Sequence, residues 1–180
     1  MVNMKYIVVS DIHGSMYYAR RIEEIIKKEN PDNIILLGDL YYHGPRNPLP
    51  LEYNPMEVAN TLNKYKDKII CIKGNCDAEV DQMISQFEIG NDYEELISGK
   101  RFYFTHGHKF NENNIPSNID VLVYGHFHTG FIKENENVIL VNSGSITLPK
   151  NNTKNSYLII TEKEIVLKDL DGQLISLIKF

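Results

Sequence analysis

Residues 6–14 read YIVVSDIHG, an apolar run that passes directly into a polar turn. The run lacks the alternation of polar and apolar residues that marks a half-exposed strand, so it is typical of a strand covered on both faces. Asp11 and His13 stand two residues apart on an extended segment, and their side chains can therefore face one point. This stretch predicts a central strand of a parallel sheet with polar chemistry at its carboxyl end.

Strand and helix alternate through the first half of the chain. Further apolar runs predict strands at residues 34–37 and 69–73. Between the strands, residues 15–29 carry apolar side chains at spacings of three and four, which predicts an amphipathic helix. A second helix is predicted to begin at Pro55, with Asn54 as its cap. Such an order implies right-handed parallel crossovers.

The second half of the chain is rich in strands joined by short turns. The predicted strands lie at residues 101–105, 121–124, 138–141, 157–161, 165–170 and 174–179. The dipeptide Asp171-Gly172 indicates a hairpin between the last two. We therefore predict an α/β fold in which two sheets pack face to face with helices outside, as a single domain over residues 1–180.

Composition and charge limit the functional classes. A chain of 180 residues with 42% hydrophobic residues suits one domain with a full core, and its net charge of −5 does not suit duplex nucleic acid. No apolar run approaches the roughly 20 residues of a membrane helix, and the opening Met1 to Lys5 leads straight into a strand rather than a secretory signal. Two cysteines form neither a disulfide framework nor a zinc motif. We expect a cytoplasmic protein without membrane contact.

Five of the six histidines stand in short polar clusters that follow predicted strands. The clusters are Asp11-Ile12-His13, Gly38-Asp39, Gly74-Asn75-Cys76-Asp77, His106-Gly107-His108 and Gly125-His126-Phe127-His128. Carboxyl ends of parallel strands meet at one edge of a sheet, where ligands bind. Imidazole, carboxylate and carboxamide groups together suit Mn²⁺, Fe²⁺ or Zn²⁺ better than calcium or an iron–sulfur cluster. Two such ions could activate a bridging water and orient a phosphate, so the pattern predicts a hydrolytic site.

In this order the five motifs resemble those of the calcineurin-like metallophosphoesterases, and the loop over residues 38–48 is similar to that of the small YfcE-type phosphodiesterases. The resemblance implies a four-layer αββα sandwich and two divalent ions, with manganese first and zinc, iron or nickel as alternatives. It implies that one metal is bound by Asp11, His13, Asp39 and His128. It implies that the other metal is bound by Asp39, Asn75, His106 and His126.

The resemblance also implies the reaction. A metal-bridged hydroxide would attack a small phosphodiester in line, without a covalent enzyme intermediate. Many members of the family carry a histidine after the motif asparagine that can protonate the leaving oxygen, but this chain has Cys76. Cys76 and His43 are therefore both candidate proton donors, and we expect activated aryl diesters to react much faster than alkyl diesters.

Two further residues are candidates for substrate contact. Arg46 lies in a proline-rich loop and could meet a phosphate in bidentate fashion, while its alternative is a solvent-facing residue of a rigid loop. His108 follows His106 at a two-residue spacing, and the resemblance gives it no metal, so a substrate or outer contact is expected.

A second hypothesis is a non-catalytic, metal-binding scaffold for protein assembly with the same fold, as in the similar retromer scaffold subunit. Completeness of the seven metal-ligand positions favours the hydrolase. Oligomeric state stays open, although the final predicted strand leaves an edge for pairing with a second copy.

Overall fold

The computed structural model of the chain describes residues 4–180, and residues 1–3 of the predicted domain lie outside the described residues. The described strands are β1 (Tyr6–Val9), β2 (Asn33–Leu36), β3 (Ile69–Ile72), β4 (Ile89–Gly90), β5 (Tyr93–Ile97), β6 (Lys100–Phe104), β7 (Val121–Tyr124), β8 (Phe131–Asn135), β9 (Val138–Asn142), β10 (Ser156–Ile160), β11 (Glu164–Asp169) and β12 (Leu174–Lys179). The helices are α1 (Met16–Glu29), α2 (Pro55–Asn63) and the single turn α3 (Asp81–Ile84), with a 3-10 turn at Lys66–Lys68.

The strands form two mixed sheets. A seven-stranded sheet has the order β12-β11-β10-β1-β2-β3-β4, and a five-stranded sheet has the order β5-β6-β7-β9-β8. In the larger sheet β1, β2, β3 and β4 are parallel, as the strand–helix alternation predicted. In the smaller sheet β6, β7 and β9 are parallel, so both sheets present several carboxyl ends at one edge.

Side chains of β1 divide between two cores. Tyr6 and Val8 belong to the core between the sheets, with Phe102 and Val123 of the smaller sheet. Ile7 and Val9 face the opposite way, into the core beneath α1 and α2. Since each fully buried aliphatic or aromatic side chain contributes roughly 1.5–3 kcal/mol, a strand buried on both faces needs the uninterrupted apolar run that the sequence has.

Both predicted helices are present and begin with a side-chain cap, of which only the Asn54 cap had been predicted. The Ser15 hydroxyl accepts a hydrogen bond from Tyr18 N at the start of α1. At the start of α2, Asn54 Oδ1 accepts from Glu57 N and Pro55 is the first helical residue. These caps satisfy backbone donors that the helix itself leaves unpaired.

The predicted α/β fold with two packed sheets is confirmed. Helices cover the outer face of the larger sheet, and in the described part of the chain all of them lie before residue 85. On the outer face of the smaller sheet, Leu122, Tyr124 and Leu140 are covered instead by Ile115 and Ile119, which come from the irregular segment between β6 and β7. The fourth layer is thus built from loop rather than from a helix.

All nine predicted strands are present, with ends within one residue of the prediction, but β4, β5 and β8 were not predicted. The hairpin at Asp171-Gly172 is also confirmed, since β11 and β12 pair antiparallel and Gly172 has a φ of +86°. None of the helices described in residues 4–180 combines the length and apolarity that a membrane crossing requires.

Candidate metal centre

The polar clusters predicted from the sequence meet where the carboxyl ends of the two sheets adjoin. The loop after β1 is held to the loop after β2 by hydrogen bonds from Asp11 N to Gly38 O (3.1 Å) and from His13 N to Asp39 O (2.9 Å). The loop after β7 is held to the end of β6 by a bond from Gly125 N to His106 O (2.9 Å). The sheets therefore bring separate segments of the chain to one small volume.

Three buried side chains form the inner cluster, which we define as Asp11, His13 and His128. Asp11 Oδ1 lies 3.7 Å from His13 Nε2 and 3.3 Å from His128 Nε2. The two Nε2 atoms are 3.3 Å apart. Three donor atoms at this spacing can share one cation.

Three further side chains form the outer cluster, which we define as Asn75, His106 and His126. His106 Nε2 lies 3.0 Å from Asn75 Oδ1 and 3.2 Å from His126 Nδ1. Asp39 stands between the clusters, with Oδ2 3.8 Å from His13 Nε2 and 3.5 Å from His106 Nε2. A single carboxylate oxygen is therefore within reach of both clusters.

Backbone carbonyls fix the orientation of three imidazole rings. Hydrogen bonds join the Nδ1 atoms of His13, His106 and His128 to Tyr42 O (2.8 Å), Leu37 O (2.7 Å) and Leu148 O (2.6 Å). Because a carbonyl only accepts, each Nδ1 carries a proton, and the Nε2 lone pair is directed at the clusters whenever the ring is neutral. This arrangement of ring and carbonyl is typical of metal-binding histidines.

The two carboxylates are also oriented by donors. Asp11 Oδ2 accepts from Ser10 Oγ (2.6 Å) and His126 N (3.0 Å), and Asp39 Oδ1 accepts from Cys76 N (2.8 Å). Asp11 Oδ1 is buried and has no hydrogen-bond partner within residues 4–180. A buried, unpaired carboxylate oxygen is costly, and a cation among these nitrogen and oxygen atoms removes that cost. The donor set therefore fits divalent metal ions.

The electrostatic environment of the centre shows the same demand for positive charge. Burial alone would raise the pKa of Asp11, but the hydrogen bond and charge of His128 and the charges of His106 and His13 outweigh it, so this pKa is lowered. Burial would lower the pKa of His106, yet its contact with Asp39 and the charges of both carboxylates raise it to about 9. His126 shows the opposite effect, since burial and the neighbouring His106 lower its pKa to about 4. The carboxylates thus favour a cation between them.

The backbone is strained at five of the seven predicted metal ligands. The φ angles of Asp11, His13, Asp39, His126 and His128 are 59°, 53°, 56°, 64° and 59°. Residues with a Cβ rarely adopt these left-handed values, and such strain concentrates at functional sites. Close approach also explains two glycines: a Cβ on Gly74 would overlap the Asp39 carboxylate, and one on Gly125 would overlap Ser10.

Asp77 supports the loops of the centre, although in the sequence it stands out only as part of a motif. Its buried carboxylate accepts hydrogen bonds from Gly74 N (2.7 Å), Asp39 N (2.8 Å) and Leu40 N (2.8 Å). It thereby ties the loop that carries Asn75 to the loop that carries Asp39. The sequence pattern indicates its place in the motif but not its supporting role, which depends on the loop conformation.

The segment after β9 forms the floor of the centre. Ser145 Oγ donates to Asp11 O (2.9 Å), Thr147 Oγ1 donates to Ile12 O (2.9 Å), and Asn142 Nδ2 donates to Gly125 O (2.8 Å). These bonds hold the backbone of two metal-ligand loops. Asn142 at the end of β9, with Ser145 and Thr147 after it, therefore contributes geometry and no charge.

A cleft of about 820 Å³ opens onto the centre. It is lined by Asp39, Tyr42, Gly44, Pro45, Arg46, Asn47, Asn75, Cys76, His126, Phe127, His128 and Lys150. Two of the residues predicted for catalysis or substrate contact, Cys76 and Arg46, are thus on its wall. Burial and then the negative charges of Asp39, Asp77 and Asp11 raise the pKa of the Cys76 thiol to about 12.

The other two predicted residues lie elsewhere. His43 is absent from the cleft wall, and its ring packs between those of Tyr42 (4.9 Å between centroids) and Tyr53 (5.4 Å). His108 is exposed, with its ring centroid 5.4 Å from that of His106. Lys150, Tyr42 and Phe127 line the cleft but were not predicted as site residues. Tyr42 and Phe127 lie within the loop and the motif quoted above, but their residue types do not indicate a role there, and Lys150 lies in no motif.

Comparisons with known proteins agree with this geometry. Residues 4–164 match the family model described as calcineurin-like phosphoesterase superfamily domain. Phosphodiesterase YfcE of Escherichia coli is 40% identical over 157 residues, which cover 86% of this chain and 85% of that protein. The solved structure of that phosphoesterase matches with a TM-score of 0.94 at 36% identity, covering 97% of this chain and 98% of the other.

More distant matches share the fold. Phosphodiesterase MJ0936 of Methanocaldococcus jannaschii is 27% identical over 78% of this chain and 83% of its own length. Vacuolar Protein Sorting 29 of Cryptosporidium parvum superposes with a TM-score of 0.67 at 16% identity, over 99% of this chain and 98% of the other. The fold is therefore shared by proteins named as enzymes and by a protein named for vacuolar sorting.

Proposed function

Because the chain belongs to the calcineurin-like phosphoesterase superfamily and is a metal-dependent phosphoesterase, we propose that it hydrolyses small phosphodiesters at a centre of two divalent metal ions. The observation that carries the two-metal proposal is the position of Asp39 Oδ2, within 3.8 Å of His13 Nε2 and 3.5 Å of His106 Nε2. One carboxylate oxygen that faces two separate donor clusters is the arrangement expected of a bridging ligand.

The inner cluster with Asp39 would hold one ion, and the outer cluster with Asp39 would hold the other. Two such ions supply positive charge to the phosphate oxygens and lower the pKa of water for attack on phosphorus. Manganese is our first candidate, because the carboxylate and carboxamide oxygens of the centre are ligands that suit it. Zinc, iron and nickel are the alternatives.

Residues of the cleft wall prepare the phosphate for direct attack by water, in line with the leaving group. Arg46 and Lys150 bring positive side chains to the cleft, where they can bind a phosphate anion. The Cys76 thiol, with a pKa of about 12, stays protonated at neutral pH and is therefore a poor nucleophile. We accordingly expect no covalent enzyme intermediate.

Cys76 is also our candidate for proton donation to the leaving oxygen, since it lines the cleft and carries a proton. A thiol is a weak hydrogen-bond donor, however, and a pKa near 12 makes it a weak acid. Leaving groups that need little protonation should therefore react best. His43 remains the second candidate, although the packing of its ring between Tyr42 and Tyr53 makes it less suited.

The size and charge of the protein favour a small substrate. A cleft of about 820 Å³ can enclose most of a small diester, and a net charge of −5 opposes binding of a long polyanion. We therefore propose a small phosphodiester as substrate and expect duplex nucleic acid to be cleaved poorly. We also propose that two copies of the chain can associate through the edge strand β12. Light scattering tests this proposal by measuring the molar mass of the protein in solution.

Hydrolysis of bis(p-nitrophenyl) phosphate tests the proposed activity. The metal-free protein should be inactive, and added Mn²⁺ should restore turnover while metal analysis finds two equivalents per chain. A protein that binds two ions but fails to turn over aryl diesters with Mn²⁺, Zn²⁺, Fe²⁺ or Ni²⁺ would support the alternative, a scaffold with the same fold.

A further inference from the structure

Two exposed aromatic side chains in the cleft have no part in holding metals or phosphate. Tyr42 is 44% exposed and Phe127 is 42% exposed, and both line the cleft beside the centre. Aromatic groups at the wall of a polar cleft are typical of ligand-contact surfaces.

Both aromatic residues are held by the centre itself. The carbonyl of Tyr42 accepts the hydrogen bond from His13 Nδ1 (2.8 Å), and the ring of Tyr42 lies 4.9 Å from that of His43. Phe127 stands between two predicted metal ligands, His126 and His128, and its backbone N donates to Gly125 O (2.7 Å). The backbone that carries each ring is therefore held in place before any ligand arrives, which reduces the entropy lost on binding.

The ring of Phe127 is oriented by two further contacts. It meets His126 edge to face at 5.1 Å between centroids and Tyr124 edge to face at 6.2 Å. Edge-to-face contacts of this kind are favourable for aromatic rings and restrict their rotation. Phe127 thus offers a defined apolar surface within one residue of either ligand.

Positive groups share the same cleft. The side chains of Arg46 and Lys150 are exposed, and within residues 4–180 neither takes part in an ion pair. The cleft therefore combines the planar apolar surface of two aromatic rings with positively charged side chains that have no acidic partner in the described part of the chain. A ligand that matches both features carries a phosphate and an aromatic ring.

We infer that Tyr42 and Phe127 form an aromatic platform on which a planar group of the substrate, an aryl ring or a nucleobase, stacks while its phosphate lies at the metal centre. This inference rests on the proposed function and adds the substrate class to it. Stacking of one base on an aromatic side chain commonly improves binding by about tenfold or more. The platform should therefore act on binding and leave the intrinsic reactivity of the diester unchanged.

Unreactive phosphonates test the platform separately from leaving-group chemistry. Binding of phenylphosphonate and cyclohexylphosphonate to the manganese-loaded protein is measured by calorimetry and by inhibition of diester hydrolysis. At a pH above the second pKa of both phosphonic acids, both ligands carry the same dianion and a six-membered ring, but only one ring is planar and aromatic. We expect the wild type to bind phenylphosphonate about tenfold more tightly. Phe127→Leu and Tyr42→Leu should reduce that ratio toward one, and Phe127→Tyr should retain it.

Tyr17→Leu is the matched control, because Tyr17 is 41% exposed but lies on α1 outside this cleft. The control should keep the wild-type ratio. An equal affinity of the wild type for both phosphonates, or a preference that survives both leucine variants, would overturn the platform. Metal content is measured in each variant, since Phe127 is flanked by predicted ligands.

A second pair of ligands identifies the source of the aromatic group. Thymidine 5′-(p-nitrophenyl) phosphate and methyl p-nitrophenyl phosphate release the same leaving group and differ in the other ester arm. If the thymidine diester has the lower KM and Phe127→Leu removes that difference, a nucleobase occupies the platform. If the two diesters have equal KM values while phenylphosphonate is still preferred, a simple aryl group occupies it. Turnover without any aromatic preference would refute the platform alone. Selective phosphonate binding without turnover would refute the proposed function alone.

Discussion

The inner and outer clusters contain the same number of side chains but differ in their access to solvent. Asp11, His13 and His128 are all buried, whereas Asn75 is exposed and His126 is partly exposed at the cleft. The inner cluster is enclosed by backbone carbonyls and by the floor segment, so its donors are fixed and dry. A metal ion should therefore bind the inner cluster more tightly and leave it more slowly, while the outer ion exchanges and faces the substrate.

Asp39→Asn should have the largest effect, because it weakens the one group that both clusters share. Loss of several kcal/mol of charge stabilisation corresponds to a fall in kcat/KM of about a thousandfold. Metal analysis after gel filtration should find less than one equivalent. Asp67→Asn, a change at an exposed carboxylate on the 3-10 turn, is the control and should behave like the wild type. Retention of two ions in Asp39→Asn would disprove the shared-ligand proposal.

The matched variants His128→Ala and His126→Ala compare the clusters directly, because the two histidines lie on one loop. Each should lower kcat/KM by about a hundredfold or more, since losses of even the supporting residues around metal ligands cost ten- to a hundredfold. After dialysis against a weak chelator, His126→Ala should retain one tightly held ion, and His128→Ala should retain none. The reverse order of retention would show that exposure does not govern affinity.

Asp77→Asn should weaken the outer ion more than the inner one. Its carboxylate accepts three backbone N–H groups from the loops of Asp39 and Asn75, and an amide cannot accept all three. We expect activity to fall about ten- to a hundredfold. Titration of the metal-free variant with Mn²⁺ should show one unchanged and one weakened binding step. Equal weakening of both steps would contradict this assignment.

Cys76→Ala and His43→Ala test which residue donates a proton to the leaving group. Of the two candidates, Cys76 lies next to Asn75 of the outer cluster. On an alkyl diester with a poor leaving group, Cys76→Ala should lower kcat about tenfold. This effect is smaller than general acid catalysis usually contributes, because a thiol is a weak acid here. On an activated aryl diester the same variant should change kcat little. His43→Ala should show no such difference between substrates, and a selective loss there would transfer the role to His43.

Glu29→Gln is the smallest change and concerns a carboxylate remote from both clusters. Burial would raise the pKa of Glu29, but hydrogen bonds from Lys5 and Lys168 outweigh it, so this pKa is lowered. The stabilisation is therefore present above the unfolded pKa and is lost as the pH falls through the folded pKa. Urea unfolding should show a loss of about 1 kcal/mol at pH 7 and a smaller loss at an acidic pH below the folded pKa, with activity unaffected at pH 7. An equal loss at both pH values would exclude the charge as its cause.

The elements predicted best from the sequence are the strands and helices whose apolar side chains pack into a core. The strand at residues 6–9 and the helix after Ser15 have strong apolar patterns, because each buries at least one face against a hydrophobic core. By contrast β5 and β8 lie at the edges of the smaller sheet and β4 at an edge of the larger one. Edge strands have a single neighbour and many polar residues, so their local signal is weak.

For the centre, the sequence predicted which side chains converge but not how they are supported. Convergence follows from strand order, and the seven predicted ligands do lie together at the sheet edges. The donors to Asp77 and the aromatic wall of the cleft depend on loop conformations, which no periodic pattern encodes. His43 shows the same limit, because the packing of its ring is decided by Tyr53, ten residues further along the chain.

The left-handed backbone at five of the seven predicted ligands has a consequence for how the protein can change. At each of these positions glycine would relax the backbone, and so the chemically useful residue is the thermodynamically worse choice. Selection for stability alone would therefore erode the centre, and only selection for activity keeps it. A lineage that no longer needed catalysis would be expected to lose these residues first and to become more heat-resistant as it did so.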